Sequence, residues 1–157
     1  MKYLALEDYS KSWVFRHQAL PLNESDLAQI KPLSVQAAGD VWRNYISAEG
    51  NHYENFHAAD WPKKAETWQG DGNWQQVWES DDESLPAELL EFMDWQGETL
   101  IYFCYDHEQV IETRWSVFQR AWKNFLFFDD GPILVGRKRQ QAVQFFQNGQ
   151  FKFGNRL

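Results

Sequence analysis

Cysteine is almost missing from this chain: Cys104 stands alone among 157 residues. A single thiol excludes an internal disulfide and any metal cluster built from several thiolates. Long apolar runs are missing as well. No stretch approaches the roughly 20 residues that span a bilayer, and the opening Met1-Lys-Tyr-Leu-Ala-Leu-Glu-Asp8 has no apolar segment of the export type. The expectation is a soluble, cytoplasmic protein without a membrane role, in which the sequon Asn23-Glu24-Ser25 carries no sugar. Positive charge is absent over a long stretch. From Asp71 to Glu112 there are twelve acidic residues and no Lys or Arg, whereas Thr113 to Leu157 holds eight basic residues against Asp129 and Asp130. With a net charge of −8 the chain offers little basic surface, so nucleic acid is not an expected partner.

Motifs of strong chemistry are lacking too. His52 and His57 are five apart, which places them on different faces of a helix, and His17 and His107 are scattered, so no metal site and no cofactor is expected. Gly70-Asp-Gly72 lacks the Lys and the strand–helix setting of a phosphate loop. No nucleophile elbow frames any Ser.

Aromatic residues are abundant: nine Trp, twelve Phe and six Tyr make 17% of the chain. Each one buried removes roughly 150–250 Å² from water, so this number exceeds what the core of one small domain needs. Some are expected half-exposed, at a groove or an interface. Length and an even composition predict a single globular domain over 1–157.

The stretch Trp115 to Val135 organises the rest. Trp115, Phe118, Trp122 and Phe125 recur at helical spacing and predict one buried face. Asp129-Asp130-Gly131-Pro132 stops that helix, and Ile133-Leu-Val135 reads as a buried strand. Towards the N-terminus, Trp13-Val-Phe-Arg-His17 reads as a strand. Asn23 and Ser34 are predicted helix N-caps, the second opening a helix over about 35–48. Residues 50–72 are expected to form a long loop pinned by Trp61 and Trp68. Asn73 is predicted to cap a short turn of helix bearing Trp74 and Trp78, and Ser84-Leu-Pro86 to start another helix. Thr99 to Tyr105 predicts a central strand and Val110 to Thr113 its partner. Asn148-Gly149 predicts a two-residue hairpin turn with positive φ at both positions. The fold class expected is α+β: N-terminal helices on a small, mostly antiparallel C-terminal sheet, with one aromatic-rich helix inserted.

The best functional lead is the acidic, Trp-bearing middle, residues 71–112. A protein- or ligand-binding module acting through Trp74, Trp78, Asp81, Asp82, Glu83 and Trp95, with a basic protein as partner, is the expected class, and enzymatic activity the less expected one. In the plainer reading, Asp81, Asp82 and Glu83 are relieved by Arg137, Lys138 or Arg139. Asp129 and Asp130 are the most chemical-looking pair. They offer either a cation or acid–base site, with a small hydrolase using them and a nearby His as the alternative function, or a turn neutralised by Arg137 to Arg139.

The motif Trp122-Lys-Asn-Phe-Leu-Phe-Phe-Asp-Asp-Gly-Pro132, with Arg137-Lys-Arg139, Val143 to Gly149 and the N-terminal Trp13-Val-Phe-Arg-His-Gln18, resembles an uncharacterised family of small bacterial proteins carrying a domain of unknown function. The resemblance spans most of the chain and implies no activity and no site residue. A looser likeness, by analogy only, is to small acidic immunity-type or adaptor modules.

Overall fold

The computed structural model of the chain describes residues 2–156. Seven strands, all pairing antiparallel, form one sheet: β1 (Lys31–Pro32), β2 (Trp68–Asn73), β3 (Leu100–Asp106), β4 (Gln109–Arg114), β5 (Ile133–Gly136), β6 (Gln141–Phe145) and β7 (Gln150–Asn155), in the order β1-β4-β3-β5-β6-β7-β2. Among the described residues five α-helices accompany it: α1 (Glu24–Ala28), α2 (Val35–Tyr45), α3 (Gln75–Trp78), α4 (Ala87–Phe92) and α5 (Trp115–Phe125). The class is α+β.

The central strands are covered on both faces, which explains their nearly continuous apolar runs. Alternation along β3 divides the core. Ile101, Phe103 and Tyr105 point to one side, where they join Trp115, Phe118, Trp122 and Phe125 of α5 with Phe145 and Phe151. Tyr102 and Cys104 point to the other, where they join Val41, Trp42 and Ile46 with Val110, Ile133, Val135 and Ala142. The four aromatics of α5 are all buried. Burial also pushes the Cys104 thiol far above its ordinary range. We expect a thiol reagent to label the native protein far more slowly than the urea-unfolded chain; stoichiometric labelling within seconds under native conditions would contradict this placement.

Local signals act where they were expected. Asn23 Oδ1 accepts from the Asp26 amide at 2.7 Å and Ser34 Oγ from the Ala37 amide at 3.2 Å, so both N-caps form. Asn73 Oδ1 accepts from the Gln76 amide at 2.9 Å at the start of α3.

Three expectations are corrected. Residues 12–15 form a 3₁₀ turn (Ser12–Phe15) rather than a strand. Val14 and Phe15 are adjacent and both buried while Trp13 is exposed, which two-residue alternation cannot satisfy. Residues 68–73 are not loop but the edge strand β2, paired with β7. Apart from Trp68, its sequence Trp-Gln-Gly-Asp-Gly-Asn lacks strand-favouring residues, but Gly70 and Gly72 lie against the rings of Phe153 and Phe151, where a Cβ would collide. The sheet therefore takes both edge strands from the N-terminal half of the chain. Third, the Asn148 hairpin carries one positive φ, not two: +87° at Gly149. The Gly149 amide donates to the Phe146 carbonyl and the Phe146 amide to the Gln150 carbonyl, making a three-residue loop that ends on a left-handed glycine. Phe145 is the inward ring of that hairpin.

Candidate functional site

The site begins where α5 ends. Beyond Leu126 the helix stops and Phe127 and Phe128 emerge half-buried. The 3₁₀ turn carrying Trp13 is tied to the same place, because the Asn124 amide nitrogen donates to the carbonyls of Val14 at 2.8 Å and Leu20 at 3.0 Å. Trp13 thus lies across both phenylalanines, with ring centroids at 5.6 and 5.8 Å, yet keeps 51% of its surface exposed. His17 sits 5.2 Å from the Phe127 ring on the same side. Trp78 meets Phe127 edge-on at 5.5 Å, and its indole N–H donates to the Lys123 carbonyl at 2.9 Å. Trp13, Phe127 and Trp78 therefore form a row of aromatic rings with one side toward water. Such amphipathic rings supply contact area at little entropic cost.

Past Trp78 the row continues into the acidic link Glu79–Glu83. The link's backbone is pinned from beneath: Trp122 Nε1 donates to the Glu83 carbonyl at 3.0 Å and Lys123 Nζ to the Ser80 carbonyl at 3.0 Å. Ser80 and Asp82 close it locally, Ser80 Oγ accepting from the Asp82 amide and Asp82 Oδ1 from the Ser84 amide. With the backbone held down, the side chains of Glu79, Asp81, Asp82 and Glu83 are exposed. Among the described residues none of these four carboxylates has a Lys, Arg or His nitrogen within 4.0 Å.

Behind the link lies a cleft of about 460 Å³. Leu20, Pro21 and Leu22 form one wall, Leu85 and Leu90 another, with Glu83 beside them; Arg120 and Lys123, one turn apart on α5, supply the positive charge. Arg120 is held in place by a buried partner. Its Nε and Nη2 donate to Asp26 Oδ2 and Oδ1 at 2.8 and 2.7 Å, and Asp26 is 3% exposed. The hydrogen bond to Asp26 raises the guanidinium pKa above its ordinary value, against a smaller opposing effect of burial.

One family's sequence profile matches residues 3–154, nearly the whole chain. The chain belongs to the family described as Protein of unknown function (DUF2947). Trp13, Asp26, the acidic link, Arg120 and Phe127 all fall inside the matched span. No curated protein and no solved structure matches the chain.

In this family member the acidic block 71–112 does not form one surface. Asp71 lies on the edge strand β2 and Glu112 near the opposite edge on β4. Glu112 is buried, accepting from the Tyr3 hydroxyl at 2.9 Å with Lys2 Nζ at 3.6 Å. Trp78, Asp81, Asp82 and Glu83 come together as described. Trp74 and Trp95 do not join them: Trp74 is 4% exposed with its N–H bonded to the Phe146 carbonyl, and Trp95 is 8% exposed, edge-on to Trp115. Arg137, Lys138 and Arg139 reach neither Asp81–Glu83 nor Asp129–Asp130 within ion-pair distance.

Asp129 and Asp130 directly follow Phe128. Asp130 accepts from the Tyr53 hydroxyl at 2.8 Å, and His52 Nε2 is 4.0 Å from it. That hydrogen bond, then burial, pushes the Tyr53 hydroxyl up to about 12. Burial, ahead of the neighbouring Asp130 charge, raises the Asp129 carboxyl above its usual range. A histidine thus does accompany Asp130, but neither carboxylate lines the large cleft. The residues that sequence reasoning missed are Trp13, Phe127, Asp26, Arg120 and Lys123. The one available signal was the consecutive pair Phe127-Phe128 just before the stop at Asp129 to Pro132, off the stripe of Trp115, Phe118, Trp122 and Phe125, where burial of both rings is hard to achieve.

Proposed function

We propose that this protein is a binding module that docks a basic segment of another protein along the Trp13–Phe127–Trp78 row and the acidic link. The observation that carries this reading is that Asp81, Asp82 and Glu83 are exposed, with no Lys, Arg or His nitrogen of the described residues within 4.0 Å, while their backbone is held firmly down. Unpaired carboxylates on a fixed support attract and orient positive side chains without a large ordering entropy. The adjoining rings offer faces on which Lys or Arg stack.

Replacing Asp81, Asp82 and Glu83 together by Lys tests this. Proteins captured from native cell extract by the wild type are expected to be basic and to be released as salt rises from about 0.05 to 0.5 M, over which the screening length falls severalfold. The triple variant is expected to lose them with a urea midpoint close to wild type, because exposed charges contribute little to stability. A folded triple variant that keeps every wild-type partner would end this reading.

A further inference from the structure

The cleft behind the link carries charges that the docking of a purely basic segment does not use. Arg120 spends two of its five N–H donors on Asp26 and keeps three, oriented by the bidentate pair with that buried carboxylate. Lys123, one turn on, spends one donor on the Ser80 carbonyl and keeps two. Asp26 already neutralises Arg120, whereas among the described residues no carboxylate lies within 4.0 Å of Lys123, so the α5 side of the cleft is net positive. A carboxylate is the group that matches a fixed guanidinium with an ammonium beside it. The walls are aliphatic: Leu20, Leu22, Leu85 and Leu90, the last 37% exposed. Glu83 borders this same cleft, and Asp82 and Asp81 lead away from it.

We infer that the cleft takes the free C-terminus of a polypeptide whose last residue is aliphatic and whose preceding residues are Lys or Arg. This rests on the docking role proposed above and names the partner's chemistry. The terminal carboxylate meets Arg120 and Lys123, and the last side chain lies between the two leucine walls. The preceding cations meet Glu83, Asp82 and Asp81 in turn. The ligand is bipolar, and so is the surface: positive on the α5 side, negative along the link. An internal basic segment leaves Lys123 and the free donors of Arg120 unmatched. A free short-chain carboxylate leaves the link unmatched.

The test is a pair of dye-labelled peptides, Lys-Arg-Lys-Arg-Leu with a free C-terminal carboxylate and the same peptide as its C-terminal amide, titrated with the full chain by fluorescence anisotropy. The acid is expected to bind at least about tenfold tighter than the amide, the size of one good charge-assisted contact. Lys123→Met is expected to weaken the acid by a larger factor than the amide, so that their ratio falls below about threefold; both peptides lose what the bond to the Ser80 carbonyl contributes by holding the link, and the fold is checked by urea titration. Equal affinity for acid and amide would overturn the C-terminal assignment and leave docking of basic segments standing. Absence of binding by either peptide would overturn both. Complete displacement of the acid peptide by millimolar 3-methylbutanoate alone would make the cleft a small-carboxylate site and overturn the assignment.

Discussion

Trp122→Ala is expected to lower the free energy of unfolding by about 3–5 kcal/mol, the loss seen when a large buried aromatic is truncated in a close-packed core. Trp122 is 0% exposed and belongs to the larger of the two core clusters, together with Phe103, Phe118 and Phe125. Its removal opens a cavity that neighbours on a paired sheet fill poorly, because the backbone beneath them is held by strand pairing. A second effect adds to this. The indole N–H of Trp122 pins the Glu83 carbonyl, so truncation releases the acidic link as well. Against a total stability of about 5–15 kcal/mol for a domain of this kind, such a loss leaves the variant marginal. Urea denaturation measures it. A midpoint within error of wild type would show that the helix does not bury this face. Trp122→Phe separates the two effects: it retains most of the burial, loses the hydrogen bond, and is expected to cost about 1–2 kcal/mol.

Arg120→Met carries the next largest expected effect. It removes the partner of a carboxylate that lies 3% exposed at the foot of α1. Removing one member of a fully buried pair costs about 3–5 kcal/mol, chiefly because the other charge is left desolvated. Arg120 is itself 53% exposed, so water screens part of the interaction, and about 2–3 kcal/mol is the expected loss. Asp26→Asn in the same background tests the cause. The double variant no longer buries an unpaired charge, so it is expected to recover at least half of the loss. A double variant no more stable than Arg120→Met would show that the arginine acts through its stem contacts alone.

The parts of this fold legible from residues alone are those governed by neighbours along the chain. The stripe of Trp115, Phe118, Trp122 and Phe125 is buried as its spacing requires, and Asn23 and Ser34 cap helices through amides three residues on. The strands at 100–106, 109–114, 133–136, 141–145 and 150–155 follow runs of apolar and β-branched residues. Where the reading missed, long-range pairing overruled local preference. Trp68–Asn73 is a strand because β7 offers it an edge and two rings over which only glycine fits. Trp13–Phe15 is a turn because Asn124, 110 residues away from Val14 in sequence, claims a carbonyl of that segment.

The candidate site shows the same division more sharply. Composition alone established that the chain holds more aromatic rings than a small core needs and a long block without basic residues. It could not establish which tryptophans are inside, since Trp74, Trp78 and Trp95 have similar acidic and apolar neighbours in sequence. The tertiary structure decided that by burying Trp74 and Trp95 in the core with their indole N–H groups hydrogen-bonded, and leaving Trp13 and Trp78 over Phe127 at the surface. It also decided the cleft, whose Asp26 and Arg120 lie 94 residues apart. Periodicity reports which face of an element is apolar. Only the three-dimensional neighbourhood sets whether that face is fully covered and which charges are left without a partner, because desolvation and Coulomb energy depend on distance through space rather than along the chain.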